Sequence, residues 1–423
     1  MPSNTVPAGG AIYARLAKNS TTDYDTGWYG PYTFNVKDYG AVGNGSTSDY
    51  TAISNAIGAA CAATLASNGF TNACVYFPPG AYLIDAQLSL TSPFAGNIVF
   101  RGDGWQESQL IFTGTGNGLY CDLSGSSSYV FLNSVEICDL ALLANANNAA
   151  SATALTITYG TSSGTGDETN PGSAVRRVYI GTIVNGSYSQ ANSNAGWTNG
   201  IVCTACHALD IDSVCLMPGA AGTGVGLKLN SCINGAIRDL YGGGWAYAIT
   251  LNNAGGGLED CQGLFFIGIR FVGAKELLHG YGSSGLYPNG FAGITIDNWM
   301  IDDGYSGGTY TAGITLEYCA GASILGGYAV FYDLSTAAIK TVNSKSIMID
   351  GNTILIVSSN PGILVASSST DVTITGNTSV SAGNGIEIDS GCARTTVVAN
   401  NCHGSGTPIS DSGTSTINAN NQT

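Results

Sequence analysis

Acidic and aromatic residues are concentrated together between residues 241 and 332 of this 423-residue chain. Ten aromatic residues lie between Tyr281 and Tyr332, whereas none lies between Asp333 and Thr423. Aromatic rings offer flat faces to pyranose rings, and two carboxyl groups can cleave a glycosidic bond, one as acid and one as nucleophile or base. This window therefore predicts a carbohydrate site, provided that the fold brings the side chains together.

Five carboxylates of the window are the predicted catalytic residues, with the three aspartates as first choice: Asp297, Asp302, Asp303, Glu276 and Glu317. Five aromatic side chains are the predicted substrate-binding residues: Trp245, Tyr281, Trp299, Tyr305 and Tyr310. Parallel strands lie about 4.8 Å apart, so carboxylates one or two strands apart can reach the separation of about 5–10 Å that glycoside hydrolysis requires. The alternative for each carboxylate is a solvated turn residue.

Elimination is a second reaction that the same region leaves open. A lyase needs a base beside a neutralised uronate, and Arg270, Lys275, His279 and Tyr281 lie close together in the sequence. A histidine on its own is more often structural, so hydrolysis remains the favoured reaction.

The twelve cysteines are predicted to be reduced and buried, because no secretory signal precedes them. Cys203-Thr-Ala-Cys206-His207 matches the pattern of c-type haem attachment. Haem attachment ordinarily requires export, so we expect a chance match, and the sequence predicts no cofactor and no metal.

Charge and hydropathy restrict the partners. A formal net charge of −15 disfavours nucleic acid and anionic membranes. There is no apolar run of membrane-spanning length and no signal peptide at Met1, so we expect no membrane insertion and folding in a cytoplasm.

A repeat of 20 to 25 residues organises the end of the chain. Gly362-Ile-Leu-Val365 is followed by Gly385-Ile-Glu-Ile388 and then by Pro408-Ile-Ser-Asp411. Short alternating strands at such a period are typical of a solenoid. We expect an asparagine ladder at equivalent turns, formed by Asn352, Asn377, Asn401 and Asn420.

The start of the predicted solenoid carries a helix. Ser48 and Asp49 are candidate caps, and apolar residues recur at helical spacing from Ile53 to Leu65. Pro78-Pro79-Gly80 then predicts a tight turn in which the glycine accepts positive φ. One helix before many strands suits a cap on the open end of the solenoid.

The segment from Phe34-Asn-Val-Lys-Asp-Tyr-Gly to Val75-Tyr-Phe-Pro-Pro-Gly-Ala-Tyr resembles the opening of the pectin-lyase-like superfamily. Asn44 and Ser48 replace two aspartates that are usual there. The resemblance implies an all-β fold, a single-stranded right-handed parallel β-helix with an N-terminal capping helix. Of the catalytic series of polygalacturonases on this fold, Asp302-Asp303 matches one element alone.

The segment Leu16-Ala-Lys-Asn-Ser-Thr-Thr-Asp-Tyr-Asp-Thr-Gly-Trp28 is similar to a segment of bacteriophage tail fibres and tailspikes. This resemblance implies a virion-attachment leader at 1–33, followed by the β-helix cap at 34–90 and the β-helix at 91–423. Stretches that interrupt the strand pattern, most of them rich in Gly, Ser and Thr, predict loop insertions near 161–200 and 281–293. The resemblance also implies a homotrimer on the virion tail, assembled in the host cytoplasm, that binds a tail or baseplate protein through the leader.

The function that this resemblance implies is binding of a bacterial surface polysaccharide such as capsule, O-antigen or exopolysaccharide, with cleavage as an expected activity. Two alternatives stay open. One is a receptor-binding fibre without catalysis, which the missing catalytic series favours. The other is a cellular polysaccharide lyase or hydrolase.

Overall fold

The structure, a computed structural model, describes most of the chain and leaves several segments out. The described residues are 15–18, 26–29, 32–66, 72–91, 93–114, 116–124, 133–145, 152–159, 172–184, 187–189, 196–219, 222–252, 260–284, 291–302 and 310–423. Most of the predicted leader and much of the predicted loop insertions lie outside these residues, as do Asp303 and Tyr305.

Three parallel sheets, which we call sheets I, II and III in the order in which each coil visits them, form the solenoid. The strands of sheet I are Thr33–Asn35, Ala73–Tyr76, Asn97–Arg101, Ser134–Cys138, Ala174–Arg176, Asp210–Asp212, Ala236–Arg238, Phe265–Ile267, Ala292–Asp297, Ala320–Leu325, Lys345–Asp350, Thr373–Thr375, Thr396–Val398 and Ile417–Ala419.

The strands of sheet II are Asn44–Ser48, Gly80–Ile84, Ser108–Phe112, Ala141–Asn145, Tyr179–Val184, Cys215–Leu216, Tyr241–Gly243, Arg270–Val272, Met300–Asp302, Tyr328–Phe331, Thr353–Ile356 and Thr378–Ser381, with Ser187–Ser189 antiparallel to Tyr179–Val184. The strands of sheet III are Leu88–Thr91, Leu119–Asp122, Thr153–Thr158, Asn199–Thr204, Thr223–Asn230, Trp245–Asn252, Glu276–Tyr281, Ile314–Glu317, Ile339–Val342, Ile363–Ala366, Asn384–Ile388 and Thr407–Asp411. Arg15–Lys18 and Thr26–Tyr29 form a separate antiparallel pair.

This architecture is the predicted right-handed parallel β-helix. Equivalent side chains stack from coil to coil, as Ile363 pairs with Ile386 and Ile386 with Ile409. Alternate strand residues point into a common apolar core. The predicted C-terminal repeat is therefore confirmed.

A residue with left-handed backbone conformation recurs at the turn from sheet I to sheet II. This position is occupied by Asn298, Gly351, Gly376 and Ala399, with φ of 51°, 66°, 66° and 57° respectively. The turn redirects the chain between Asp297 in sheet I and the next strand in sheet II. Because of this bend, Asp297 lies in sheet I and Asp302 lies in sheet II, although they are close in the sequence.

An asparagine ladder follows these turns, but two of its members differ from the expected ones. The ladder consists of Asn352, Asn377, Asn400 and Asn421, whose side chains bond one to the next at 2.9, 2.9 and 3.0 Å. Asn421 replaces the expected Asn420 because Asn420 takes the left-handed position, with φ of 56°. In the same way, Ala399 takes the left-handed position, with φ of 57°, so Asn400 joins the ladder in place of the expected Asn401.

The cysteines are free, and eleven of the twelve are buried. Several form a second ladder at the turn from sheet III to sheet I, where Cys232 N donates to Cys261 Sγ at 3.4 Å. Further along the chain, serines replace cysteine in this ladder, and Ser344 N donates to Ser369 Oγ at 3.2 Å. Small polar side chains thus satisfy backbone groups at this corner. Cys203 and Cys206, part of the haem-like motif, are both fully buried.

The helix Tyr50–Ala66 and the 3-10 helix Val36–Tyr39 lie at the N-terminal end of the solenoid. Ile53 and Ile57 are buried in the common core, as the helical spacing predicts. The Asp49 carboxylate accepts hydrogen bonds from the Val42 and Gly43 amides at 2.6 and 3.1 Å. It therefore fastens the preceding turn, a role different from the predicted helix cap.

The Pro78-Pro79-Gly80 turn forms the corner between Ala73–Tyr76 of sheet I and Gly80–Ile84 of sheet II. The glycine is required by a close approach, because a Cβ on Gly80 would lie 2.9 Å from the Gly43 carbonyl oxygen. Gly80 does not have the positive φ that we expected. Among the described residues, no helix has the length and apolar character needed to cross a membrane.

Candidate functional site

The solenoid distributes the predicted carboxylates over all three sheets. Asp297 ends a strand of sheet I and Asp302 ends a strand of sheet II. Glu276 begins one strand of sheet III, and Glu317 ends the next strand of that sheet. The two aspartates therefore belong to separate faces, and the two glutamates are the pair that one face brings together.

Three of the predicted substrate-binding rings lie in the core. Trp245 is fully buried, and its indole N–H donates to the Leu216 carbonyl at 3.1 Å. Trp299 is 1% exposed and donates to Oδ1 of Asn352 at 3.1 Å. Tyr310 is 3% exposed and packs on Phe331. An enclosed ring has no face open to a sugar, whereas the fourth described residue, Tyr281, is 43% exposed.

His279 joins the two glutamates on the outer face of sheet III. Its Nδ1 lies 3.1 Å from Oε1 of Glu276, and its Nε2 lies 3.8 Å from Oε1 of Glu317. The His279 and Glu317 side chains are 29% and 26% exposed, whereas that of Glu276 is 1% exposed. A substrate at the surface can therefore reach His279 and Glu317, while Glu276 orients the imidazole from below.

The two carboxylates raise the pKa of the imidazole. Burial by itself lowers the pKa of His279, but the hydrogen bond to Glu276 and the charges of Glu276 and Glu317 raise it more. The pKa therefore lies above its ordinary value, with Lys340 opposing the rise. Because a carboxylate only accepts, Nδ1 donates to Glu276 and Nε2 remains directed towards Glu317.

Tyrosine rings flank this group along the sheet. Tyr247 is 37% exposed, and its ring meets that of His279 edge to face with centroids 5.8 Å apart. Tyr281 meets Tyr318 in a similar arrangement at 5.9 Å. Tyr247 and Tyr281 thus offer aromatic surface on both sides of the histidine.

Polar side chains continue the face in both directions along the solenoid axis. One row of register partners consists of Lys228, Thr250, His279, Thr315 and Lys340. A second row consists of Thr158, Thr204, Asn230 and Asn252. Thr250 and Thr315 are buried, so the first row offers Lys228, His279 and Lys340 to a ligand. With strands about 4.8 Å apart, the second row presents partly exposed hydrogen-bonding groups at regular intervals.

Sequence reasoning missed Tyr247 and undervalued His279. Both residues occupy strands with the spacing Tyr247-x-x-Thr250 and Glu276-x-x-His279, and the two strands pair in register. Alignment of the coils against one another could have placed the tyrosine over the glutamate position. The contact with Glu317, 38 residues beyond His279, depends on how many residues each loop contains.

A sequence model of the family described as rhamnogalacturonase A/epimerase, pectate lyase-like matches residues 33–259. The expected superfamily is thereby confirmed. Two curated fungal relatives match short segments. A probable glucan endo-1,3-beta-glucosidase from Arthroderma benhamiae is 50% identical over 52 residues, 12% of this chain and 6% of that protein. A non-secreted LysM effector from Penicillium expansum is 43% identical over 67 residues, 15% of this chain and 5% of that protein.

Solved structures share the fold over most of the chain. The catalytic unit of a GH87 alpha-1,3-glucanase from Streptomyces thermodiastaticus is similar with a TM-score of 0.64 and 17% identity, over 92% of this chain and 68% of that chain. The N-terminal fragment of gene product 12 of bacteriophage Phi29 is similar with a TM-score of 0.59 and 14% identity, over 90% of this chain and 70% of that chain. At these identities the likeness concerns the fold.

Proposed function

Because the chain belongs to the rhamnogalacturonase A/epimerase, pectate lyase-like family, we propose that it binds a polysaccharide along the outer face of sheet III and cleaves it beside His279. The observation that carries this proposal is the position of His279 between Glu276 and Glu317, at 3.1 and 3.8 Å. Exposed tyrosine rings and rows of polar side chains extend this face along the axis. A chain of sugars lying along the axis would meet the exposed members of these rows.

The chemistry is a pair of proton transfers. His279, whose pKa is raised by the two neighbouring glutamates, gives a proton to the leaving glycosidic oxygen. Glu317 takes a proton, either from the attacking water in hydrolysis or, in elimination, from the ring carbon that bears the carboxylate of a uronate. Glu276 is a positioning residue, because it is buried and acts through Nδ1 of His279.

Elimination is the reaction that the spacing favours. Nε2 of His279 and Oε1 of Glu317 are 3.8 Å apart, which is shorter than the about 5–10 Å between the two carboxyl groups of glycoside hydrolases. A donor and an acceptor so close together suit proton transfers on one face of a sugar ring. Lys340, two strands away in the same row, is a candidate partner for a uronate carboxylate.

Purified protein incubated with a uronate polymer and with a neutral glucan tests the proposal. Cleavage is followed by new reducing ends, and elimination is followed by the ultraviolet absorbance of an unsaturated product. We expect His279→Ala and Glu317→Gln to lose about 10²–10⁴-fold in rate. Glu387→Gln is the matched control, because Glu387 lies on the outer face of sheet III away from His279.

Three results separate the outcomes. Saturated products assign hydrolysis instead of elimination. Full activity of Glu317→Gln removes the proposed pair. Binding without shortening of either polymer supports the second candidate function, a receptor-binding fibre without catalysis, which the burial of Glu276 and of three predicted substrate-binding rings favours.

We also propose that the protein is a phage tailspike or tail fibre, a homotrimer that binds a bacterial surface polysaccharide and attaches to the virion through residues 1–33. The tail-like segment from Leu16 to Trp28 supports this proposal, and strands Arg15–Lys18 and Thr26–Tyr29 form a pair around its centre. Deletion of residues 1–33 should abolish binding to isolated tails or baseplates and leave polysaccharide binding unchanged. Equal binding of the full-length and shortened proteins to tails would remove the attachment role.

A further inference from the structure

The outer face of sheet II is apolar, and in its N-terminal half it is covered. Ala141 and Leu143 point outward from their strand and are nevertheless fully buried. They belong with Ile111 and Ile183 to a cluster that is separate from the common core. The Trp105 ring stacks on Tyr179 at its edge, with centroids 5.1 Å apart. The sheet therefore has a second hydrophobic layer on its outside.

The same face continues towards the C-terminus, where several of its described apolar side chains are exposed. Tyr241 and Val272 are each 48% exposed, Tyr328 is 42% exposed and Leu355 is 37% exposed. Val272 and Leu355 belong to one row of register partners, which also contains Asp302, Val330 and Val380. We call the outward residues of sheet II from Tyr241 to Val380 the open face.

The open face carries no net charge in a strongly acidic chain. Among its outward strand positions the charged residues are Arg270 and Asp302, one of each sign, whereas the whole chain has a net charge of −15. The open face has six strands, and the five spacings of about 4.8 Å between them make it about 24 Å long. It is thus a long strip with exposed apolar side chains and no net charge.

We propose that the open face is the contact between copies of this chain. A second copy also carries a net charge of −15, so two copies repel one another except where the touching surfaces are neutral. A cationic partner would gain nothing from a face of zero net charge, whereas a second copy can match its apolar strip and set Arg270 opposite Asp302 of the partner subunit. Contact with a second copy would bury the open face, as Leu143 and Ile183 are already buried within one chain.

This inference rests on the assembly part of the proposed function and names the surface that performs it. The experiment measures the mass of the full-length chain by native mass spectrometry and sedimentation at several concentrations. We expect the wild type to show a multiple of 43.0 kDa. Leu355→Glu should shift the mass to that of one chain or weaken association at least 10-fold, because it places a charge in the apolar strip.

Met348→Glu is the matched control, because Met348 is 39% exposed but lies on the outer face of sheet I. Its mass should equal that of the wild type. Circular dichroism checks that both variants are folded. If Leu355→Glu is unfolded, hydroxyl-radical footprinting of the wild type replaces it, and Tyr241 and Tyr328 should be protected in the assembly while Tyr247 and Tyr281 stay reactive.

A wild type that remains a single chain at every concentration overturns both the assembly and this contact. An assembly that Leu355→Glu leaves intact, or in which Tyr328 stays reactive, overturns the contact surface alone. Polysaccharide cleavage is measured on the same samples, so a loss of the proposed activity is distinguished from a loss of assembly.

Discussion

The outer faces of sheets II and III belong to the same coils of the solenoid and differ in the polarity of their central rows. On sheet III, the row through His279 contains Lys228 and Lys340, and Glu317 lies beside it. On sheet II, the row through Val272 contains Val330 and Leu355. The inner residues of both sheets are alike, since both fill one core. The outer faces of a solenoid can therefore differ in chemical character while its interior stays the same.

The difference has a physical cause in the alternation of strand residues. Inner positions must be apolar because they are removed from water, whereas outer positions are free to vary. Where the outer positions are polar, the face can bind and react with a solvated ligand. Where they are apolar, the face is best satisfied by another protein surface.

Removal of the core beneath both faces should have the largest effect. Trp299→Ala is expected to lower the free energy of unfolding by about 3–5 kcal/mol, because the indole is 1% exposed and bonds to the Asn352 ladder. Denaturant unfolding measures the loss, and activity and assembly should fail together. Phe265→Ala, at a position 49% exposed on sheet I, is the control. Loss of one function alone would contradict a shared core.

Replacement of the buried carboxylate should act on sheet III alone. Glu276→Gln is expected to reduce the cleavage rate about 100-fold, because the amide cannot hold His279 in its charged form as the carboxylate does at 3.1 Å. The pKa of His279 should fall, so the pH–rate profile should move to lower pH. Native mass should not change. An unchanged profile would mean that Glu276 does not act through the imidazole.

Two tyrosines of nearly equal exposure give the sharpest test of whether sheets II and III have different functions. Tyr281 on sheet III is 43% exposed and Tyr328 on sheet II is 42% exposed. Tyr281→Ala should weaken polysaccharide affinity about 10-fold, or about 1.4 kcal/mol, with no change in mass. Tyr328→Ala should weaken assembly and leave affinity unchanged. Equilibrium binding measures polysaccharide affinity, and sedimentation measures assembly. If both variants changed both quantities equally, the two faces would not have separate functions.

The smallest effect should be the pH dependence of stability. The pKa of His279 is raised in the folded protein, so its charged form stabilises the fold fully below the unfolded value of about 6.5 and this contribution is lost as pH rises through the folded pKa. The unfolding free energy of His279→Gln should therefore fall below that of the wild type at pH 5.5 by about 1 kcal/mol or less, and the gap should close at alkaline pH. If the difference in unfolding free energy grew as the pH rises, it would contradict a raised pKa of His279 in the folded protein.

Much of the fold could be predicted from the sequence. The repeat from Gly362 to Asp411 predicted stacked strands, and the helical spacing from Ile53 predicted the cap, because both depend on periodicities that are local in the chain. The ladder shows the limit of such reasoning. Residues 400 and 401 are both asparagine, as are 420 and 421, so residue type cannot decide which one turns inward. Backbone conformation at Ala399 and Asn420 decides it.

The site was predictable only in part. Glu276, Glu317 and Tyr281 were among the expected residues and do lie on one face. Asp297 and Asp302 were expected beside them, but the turn at Asn298 and the following strand direct them to sheets I and II. Trp245 and Trp299 were expected at the surface because aromatic residues bind sugars, yet aromatic residues also fill cores, and sequence proximity does not distinguish the two.

By itself, the sequence determined the solenoid, its capping helix and the region in which acidic and aromatic residues gather. These follow from residue periodicity and composition, which need no knowledge of distant contacts. The tertiary structure alone decided which sheet each residue joins, because every loop length shifts the register of the next coil. It placed His279 between Glu276 and Glu317 across 38 residues of chain, and it turned the apolar residues of sheet II outward. Coil register, which no local pattern encodes, separated the face that carries His279 from the face that carries exposed apolar residues.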